Sequence, residues 1–125
     1  MRSIAIAIFV LGCAAEAHAE WWCGASGSAL SGFIPDQPTV NRLKRGRTVD
    51  FRGTCMRHDV CYSVKNNDKR FCDDQFYGEM KSKCDSQFGK NKGEHANCME
   101  WANMYRSAVG SSLGERAYRN AQARR

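Results

Sequence analysis

The stretch Cys55-Met56-Arg57-His58-Asp59-Val60-Cys61-Tyr62 decides how this chain is read. On a helix, His58, Cys61 and Tyr62 stand at i, i+3 and i+4 and share a face, while Asp59 lies about 100° round the axis. A histidine titrates near neutrality and can take a proton from water. A carboxylate aimed at a neighbouring site can hold a cation without obstructing that base.

Working outward, Asp50 reads as the cap of a helix that starts near Phe51 and runs to about Asn66. Asn66-Asn67-Asp68 then reads as a turn that supplies capping residues. A second helix spans Lys69 to Phe88, because Cys72, Phe76, Met80 and Cys84 recur every four residues, with Asp73 and Tyr77 alongside. A third runs from about Glu94 to Val109 with Cys98, Trp101, Ala102, Tyr105, Ala108 and Val109 on one face. The last stretch, 114–125, is a weaker and strongly basic helix. Upstream, residues 21–47 have no sustained periodicity and carry glycines at 24, 27, 32 and 46 and prolines at 35 and 38, so they read as an irregular loop region. No strand is expected. The reading is one all-α domain of helices joined by short turns and stapled by disulfides.

The chain has 125 residues, which allows one domain. Arg2, the apolar run from Ile4 to Leu11 and Ala17-His18-Ala19 read as a signal peptide over 1–19, leaving 20–125 as an exported domain. Val10-Leu11-Gly12-Cys13 is a loose lipobox, the alternative processing site. Cleavage after Ala19 removes Cys13 and leaves Cys23, Cys55, Cys61, Cys72, Cys84 and Cys98, an even set that reads as three disulfides. Spacing alone leaves fifteen pairings open. The net charge of +6 survives, since Arg2 and Glu16 leave together, and it favours an anionic partner.

His58 needs an orienting group if it is to act as a base. If Cys61 pairs with Cys72, Asp73 becomes that group, with Asp74 as the fallback. Trp22-Cys23-Gly24-Ala25-Ser26-Gly27 is a loop whose carbonyls can turn inward, and calcium takes six to eight oxygens in all, often such carbonyls with one or two carboxylates. Zinc at Cys55-x2-His58-x2-Cys61 competes, but the spacing is unusual and export favours disulfides. No Ser-His-Asp arrangement, phosphate-binding glycine loop or nucleotide motif is present. His95 reads as a helix-start residue.

Taken together, Cys55-x-x-His58-Asp59-x-Cys61-Tyr62, Trp22-Cys23-Gly24-Ala25-Ser26-Gly27 and Phe71-Cys72-Asp73 resemble the active-site helix, calcium loop and second long helix of secreted phospholipase A2. The resemblance covers roughly Trp21 to Cys84. It implies two long antiparallel helices, a calcium-binding loop and the pairs Cys23–Cys55 and Cys61–Cys72, which leaves Cys84 with Cys98. It further implies His58 as the base that activates water, Asp73 as its support and Tyr62 as the support of Asp73. The Ca2+ ligands it implies are Asp59 and the carbonyls of Trp22, Gly24 and Ser26. The implied reaction is hydrolysis of the sn-2 ester of a glycerophospholipid by direct attack of water.

The chain departs from the family in three places. Thr54-Cys55 replaces a double cysteine, and the position of the lost partner, near Glu79, also lacks one. Only nine residues separate Tyr62 from Cys72, where animal forms insert a β-wing. Ser26 stands where the loop often has glycine.

Trp21, Trp22, Phe33 and Ile34 are suited to ring the mouth of such a site, either as anchors in a phospholipid surface or as local packing. Arg116, Arg119, Arg124 and Arg125 either attract anionic lipid or form a solvated end. The expected partner is a phospholipid membrane or micelle surface and not nucleic acid, and the expected state is a secreted monomer. Two other readings compete. One is a non-catalytic, toxin-like or receptor-binding module on the same fold. The other is a basic nucleic-acid or cell-wall binder, which accounts for the charge but not for the His-Asp placement.

Overall fold

The computed structural model describes Cys23, residues 35–41 and residues 47–124. The leader expected over 1–19, the loop residues Trp22, Gly24 and Ser26, and the aromatic set Trp21, Trp22, Phe33 and Ile34 lie outside them, as does Arg125. Four helices account for the regular structure among the described residues: α1 (Arg52–Ser63), α2 (Lys69–Phe88), α3 (Lys92–Gly110) and α4 (Ser112–Ala123).

Each boundary has a local cause. Phe51 occupies the N-cap of α1 without a side-chain cap, and Asp50, the expected cap, instead accepts from the Arg52 amide at 3.0 Å. α1 ends at Ser63, three residues before the expected Asn66, which sits in the turn at φ 64°. Asparagine tolerates that left-handed conformation better than most residues. Asp68 caps α2 by accepting from the Phe71 amide, and Asn91 caps α3 by accepting from Glu94. The Asn91 cap starts α3 at Lys92, two residues before the expected Glu94. Ser111 caps α4 through the Leu113 amide.

The core follows from a row on α2. Cys72, Phe76, Met80, Cys84 and Phe88 are all buried, and a strict spacing of four advances about 40° per step, so the row winds round the helix. Its start faces α1, where Cys72 bonds Cys61, and its later part faces α3, where Cys84 bonds Cys98. The third disulfide joins Cys23 to Cys55. Ala102 and Tyr105 of α3 complete the cluster with Phe51, Val40 and Val49. Fully burying a large apolar side chain contributes roughly 1.5–3 kcal/mol, so this small core and its cross-links, at about 2–4 kcal/mol each, are comparable contributors.

Upstream of α1, the described residues 35–41 and 47–51 are joined by backbone pairing. Thr39 and Thr48 form an isolated antiparallel bridge. Around it, Val40 N–H donates to Arg47, Val49 to Pro38 and Phe51 to Asp36. One edge of α3 grips this segment. Buried Glu94 accepts from Asn41 at 3.0 Å and Arg47 at 2.7 Å, Asn97 donates to the Val40 carbonyl, and Trp101 donates to Thr39. Tyr105 donates to the Pro35 carbonyl one turn on.

Beside Thr54, α1 and α2 are bridged by charge. Arg57 meets Glu79 at 2.9 Å beside a cleft of about 440 Å³ lined by Thr54, Gln75 and Lys83 among others. That cleft does not include His58.

Candidate active site

His58 and Tyr62 are both buried on the face of α1 that meets α2. The imidazole is held between two rings: it stacks on Phe76 of α2 with centroids 4.4 Å apart and 28° between planes, and lies 4.1 Å from Tyr62. These contacts fix the ring plane, and Asp73 fixes its direction. The Nε2 atom of His58 lies 2.8 Å from Asp73 Oδ1, and the Tyr62 hydroxyl donates to that same oxygen at 2.5 Å. Cys61–Cys72 clamps the two helices next to this contact, with a Cα–Cα distance of 5.7 Å.

The second oxygen of Asp73 is also occupied. Lys69 Nζ donates to Oδ2 at 2.6 Å and to the Val109 carbonyl of α3 at 2.7 Å. Burial pushes the Asp73 carboxyl up. The hydrogen bonds from His58, Lys69 and Tyr62 and the charge of Lys69 together outweigh it and hold the carboxyl below the ordinary carboxylate value. Burial and the same carboxylate push the Tyr62 phenol well up, so it remains a donor. An ionised carboxylate only accepts, so Nε2 of His58 carries the hydrogen and Nδ1 is the nitrogen able to take a proton.

Asp59 lies on another face and is exposed. Its carboxyl is nevertheless pushed above the ordinary value, because surrounding protein crowds out water, against the pull of His58 and Arg124. Water still reaches the side chain, so the effect is modest. Cys55 and Asp59 are one turn apart on α1, so the Cys23–Cys55 disulfide brings the described end of the upstream loop onto the Asp59 side of the helix. Cys23 is further held by its amide, which donates to Asp36 at 2.8 Å. Among the described residues, no three His, Cys, Asp or Glu side chains gather to hold a metal ion.

Of the expected site residues, His58, Asp73 and Tyr62 are therefore in mutual contact and Asp59 stands beside them. Trp22, Gly24 and Ser26 lie outside the described residues. Asp74, the fallback partner for His58, points instead toward Arg106 at 4.0 Å and is exposed. His95 pairs with Asp85 at 2.7 Å on the surface.

Sequence reasoning missed Lys69 and the role of α4. The signal for Lys69 was present as an i, i+4 pair with Asp73, but such pairs are common on solvated helices. The helix expected over 114–125 is present as α4, which ends at Ala123; Arg116, Arg119 and Arg124 are exposed, and the helix is docked through other side chains. The Tyr118 hydroxyl donates to the Asn67 carbonyl at 2.7 Å, and its ring meets Tyr62 edge-on at 5.4 Å. Gln122 donates to the carbonyls of Tyr62 and Val64 and accepts from the Asn66 amide, so it satisfies the end of α1. No sequence pattern announces such a contact across 56 residues.

No family model, curated protein or solved structure matches this chain. The disulfides fit an oxidising compartment, and no helix among the described residues is long and apolar enough to cross a membrane.

Proposed function

We propose that this chain is a secreted phospholipase A2, a calcium-dependent hydrolase of the sn-2 ester of glycerophospholipids. The observation that carries the reading is one imidazole with every feature a water-activating base needs. His58 is buried, stacked and bonded through Nε2 to an ionised carboxylate at 2.8 Å, which is itself held by a phenol and an ammonium.

From that arrangement the proton path follows. Nδ1 of His58 takes a proton from a water molecule as the water oxygen attacks the sn-2 carbonyl. Asp73 stabilises the imidazolium that forms without taking the proton itself. When the tetrahedral intermediate collapses, the C–O bond to the glycerol breaks and His58 returns its proton to the departing lysophospholipid oxygen. The acid product is a free fatty acid, and no acyl-enzyme forms.

The exposed Asp59 carboxylate, on the side of α1 to which Cys23 is bonded, suits a hard cation, and the carbonyls of Trp22, Gly24 and Ser26 would have to reach it to complete an oxygen shell. Bound there, calcium would hold the substrate phosphate and stabilise the developing oxyanion. A lipid surface as partner gains support from α1. Met56 and Val60, one turn apart on the helix that carries the base, and Val64 at its C-cap are 42%, 58% and 51% exposed, a small apolar patch.

The test is fatty-acid release from mixed phospholipid micelles with calcium and with excess chelator. Calcium-dependent release, abolished in His58→Ala, is the expected outcome. Release undiminished by chelator overturns the calcium mechanism, and a folded protein with no release overturns the enzyme.

A further inference from the structure

Asp73 receives two hydrogen bonds from α1, and both end on Oδ1. The terminal torsion of an aspartate is broad and roughly two-fold. Contacts to a single oxygen therefore leave the carboxylate plane free to swing and trade its oxygens. Oδ2 is held by Lys69 alone among the described residues, at 2.6 Å.

Lys69 is itself immobilised. Its side chain is 18% exposed, its ammonium also donates to the Val109 carbonyl, and it lies 5.8 Å from the centroid of the Tyr62 ring. That carbonyl belongs to the last turn of α3, where no backbone amide of the same helix is left to reach it. It cannot retreat either: a Cβ on Gly114 would fall 1.7 Å from Val109 O, so the start of α4 lies directly against it. Local helix energetics do not account for the pairing. A cation in the first turn opposes the helix dipole, and Lys ahead of Asp is the weaker order for an i, i+4 pair.

We propose that Lys69 is a positioning residue of this site, fastening the second oxygen of Asp73 to the end of α3 so that the carboxylate stays aligned with His58. The proposal rests on the reading of His58 as a base, and it adds α3 and α4 to the elements that hold that base. It makes the α3–α4 junction, remote in sequence from His58, part of what sets the turnover rate.

The test uses the full disulfide-bonded chain and two readouts at a fixed pH. One is the low-field proton resonance of His58 Nε2–H, recorded without calcium. The other is kcat and KM on phosphatidylcholine micelles with calcium. In Lys69→Met, kcat should fall at least about tenfold while KM stays within about twofold, since orientation and not binding is lost. The resonance should broaden or vanish, and Lys69→Arg, which keeps the charge and donors, should restore most of both. Loss of a merely structural contact would lower the melting temperature without the kcat-specific loss and its rescue. A Lys69→Met protein with wild-type kcat and an unchanged resonance overturns the proposal. If the wild-type chain hydrolyses no phospholipid, the enzymatic reading fails and the resonance decides. Its loss in Lys69→Met and return in Lys69→Arg sustains the clamp, and no change overturns it. Should Lys69→Met not fold, Lys69→Gln is judged by the same criteria.

Discussion

Replacing Asp73 with asparagine keeps the shape of the side chain and removes one acceptor. With the amide oxygen toward α1, the hydrogen bonds from His58 and Tyr62 survive, but the NH2 group faces the Lys69 ammonium across a 2.6 Å contact, donor against donor. Turned over, the oxygen accepts from Lys69 and the NH2 group faces the Tyr62 hydroxyl and His58 Nε2. The imidazole must then carry its hydrogen on Nδ1, the nitrogen that should take the proton. The first orientation forfeits a charge-assisted hydrogen bond in a site where the two side chains are 18% and 16% exposed, a loss of about 1.5–3 kcal/mol. The second forfeits the tautomer, for which a fall in kcat of roughly 10³–10⁴-fold is expected. Guanidinium unfolding with disulfides intact measures the first, and fatty-acid release at saturating calcium measures the second. The pH dependence supplies a further check. The Asp73 carboxyl sits lower in the folded than in the unfolded chain, so its contribution is present above the ordinary carboxylate value and is lost as pH falls through the folded one. Asp73→Asn should flatten that acid loss. A variant within about 0.5 kcal/mol of wild type, with unaltered turnover, would refute the account.

Three further outcomes follow from other parts of the fold. Gly114→Ala should destabilise the chain by about 1–3 kcal/mol or more, because the new Cβ meets backbone that cannot step aside; unchanged thermal unfolding would show that α3 and α4 separate freely. Asp59→Asn should slightly stabilise the calcium-free protein at neutral pH, since crowding raises this carboxyl and its ionisation opposes folding as pH rises through that value. The same variant should lose any calcium-induced rise in melting temperature, and a rise equal to that of wild type would remove Asp59 as a ligand. Replacing Cys61 and Cys72 by alanine opens a loop of 11 residues and should cost about 3 kcal/mol by loop entropy, whereas Cys23–Cys55, at 32 residues, should cost about 4 kcal/mol; denaturant midpoints of the two double variants check the order.

Much of the helical scaffold was legible from local chemistry. The row at 72, 76, 80 and 84 marked α2 with its observed ends, because the turn that ends in Asp68 bounds the pattern at one side and Gly89 at the other. The end of α1 was placed three residues late because Val64 and Lys65, which precede the turn signal at Asn66, carry none of their own, and Gln122 supplies partners for the carbonyls of Tyr62 and Val64. The pairing between 36–40 and 47–51 escaped notice because each arm offers only two apolar positions, Pro38 and Val40 on one and Val49 and Phe51 on the other, too short an alternation to mark a strand.

By itself, the sequence determined the helical class, the even cysteine set and the presence of a histidine and a carboxylate on adjoining faces of α1, since these depend on residue spacing along one helix. Only the tertiary structure decided that Asp73 and not Asp74 meets His58, which cysteines pair, and that Lys69, Val109 and Gly114 stand behind the carboxylate. Adjacent residues on a helix point about 100° apart, so choosing between them depends on how α2 is rotated against α1. That rotation is set by the packed row and the Cys61–Cys72 bond, which involve both helices at once.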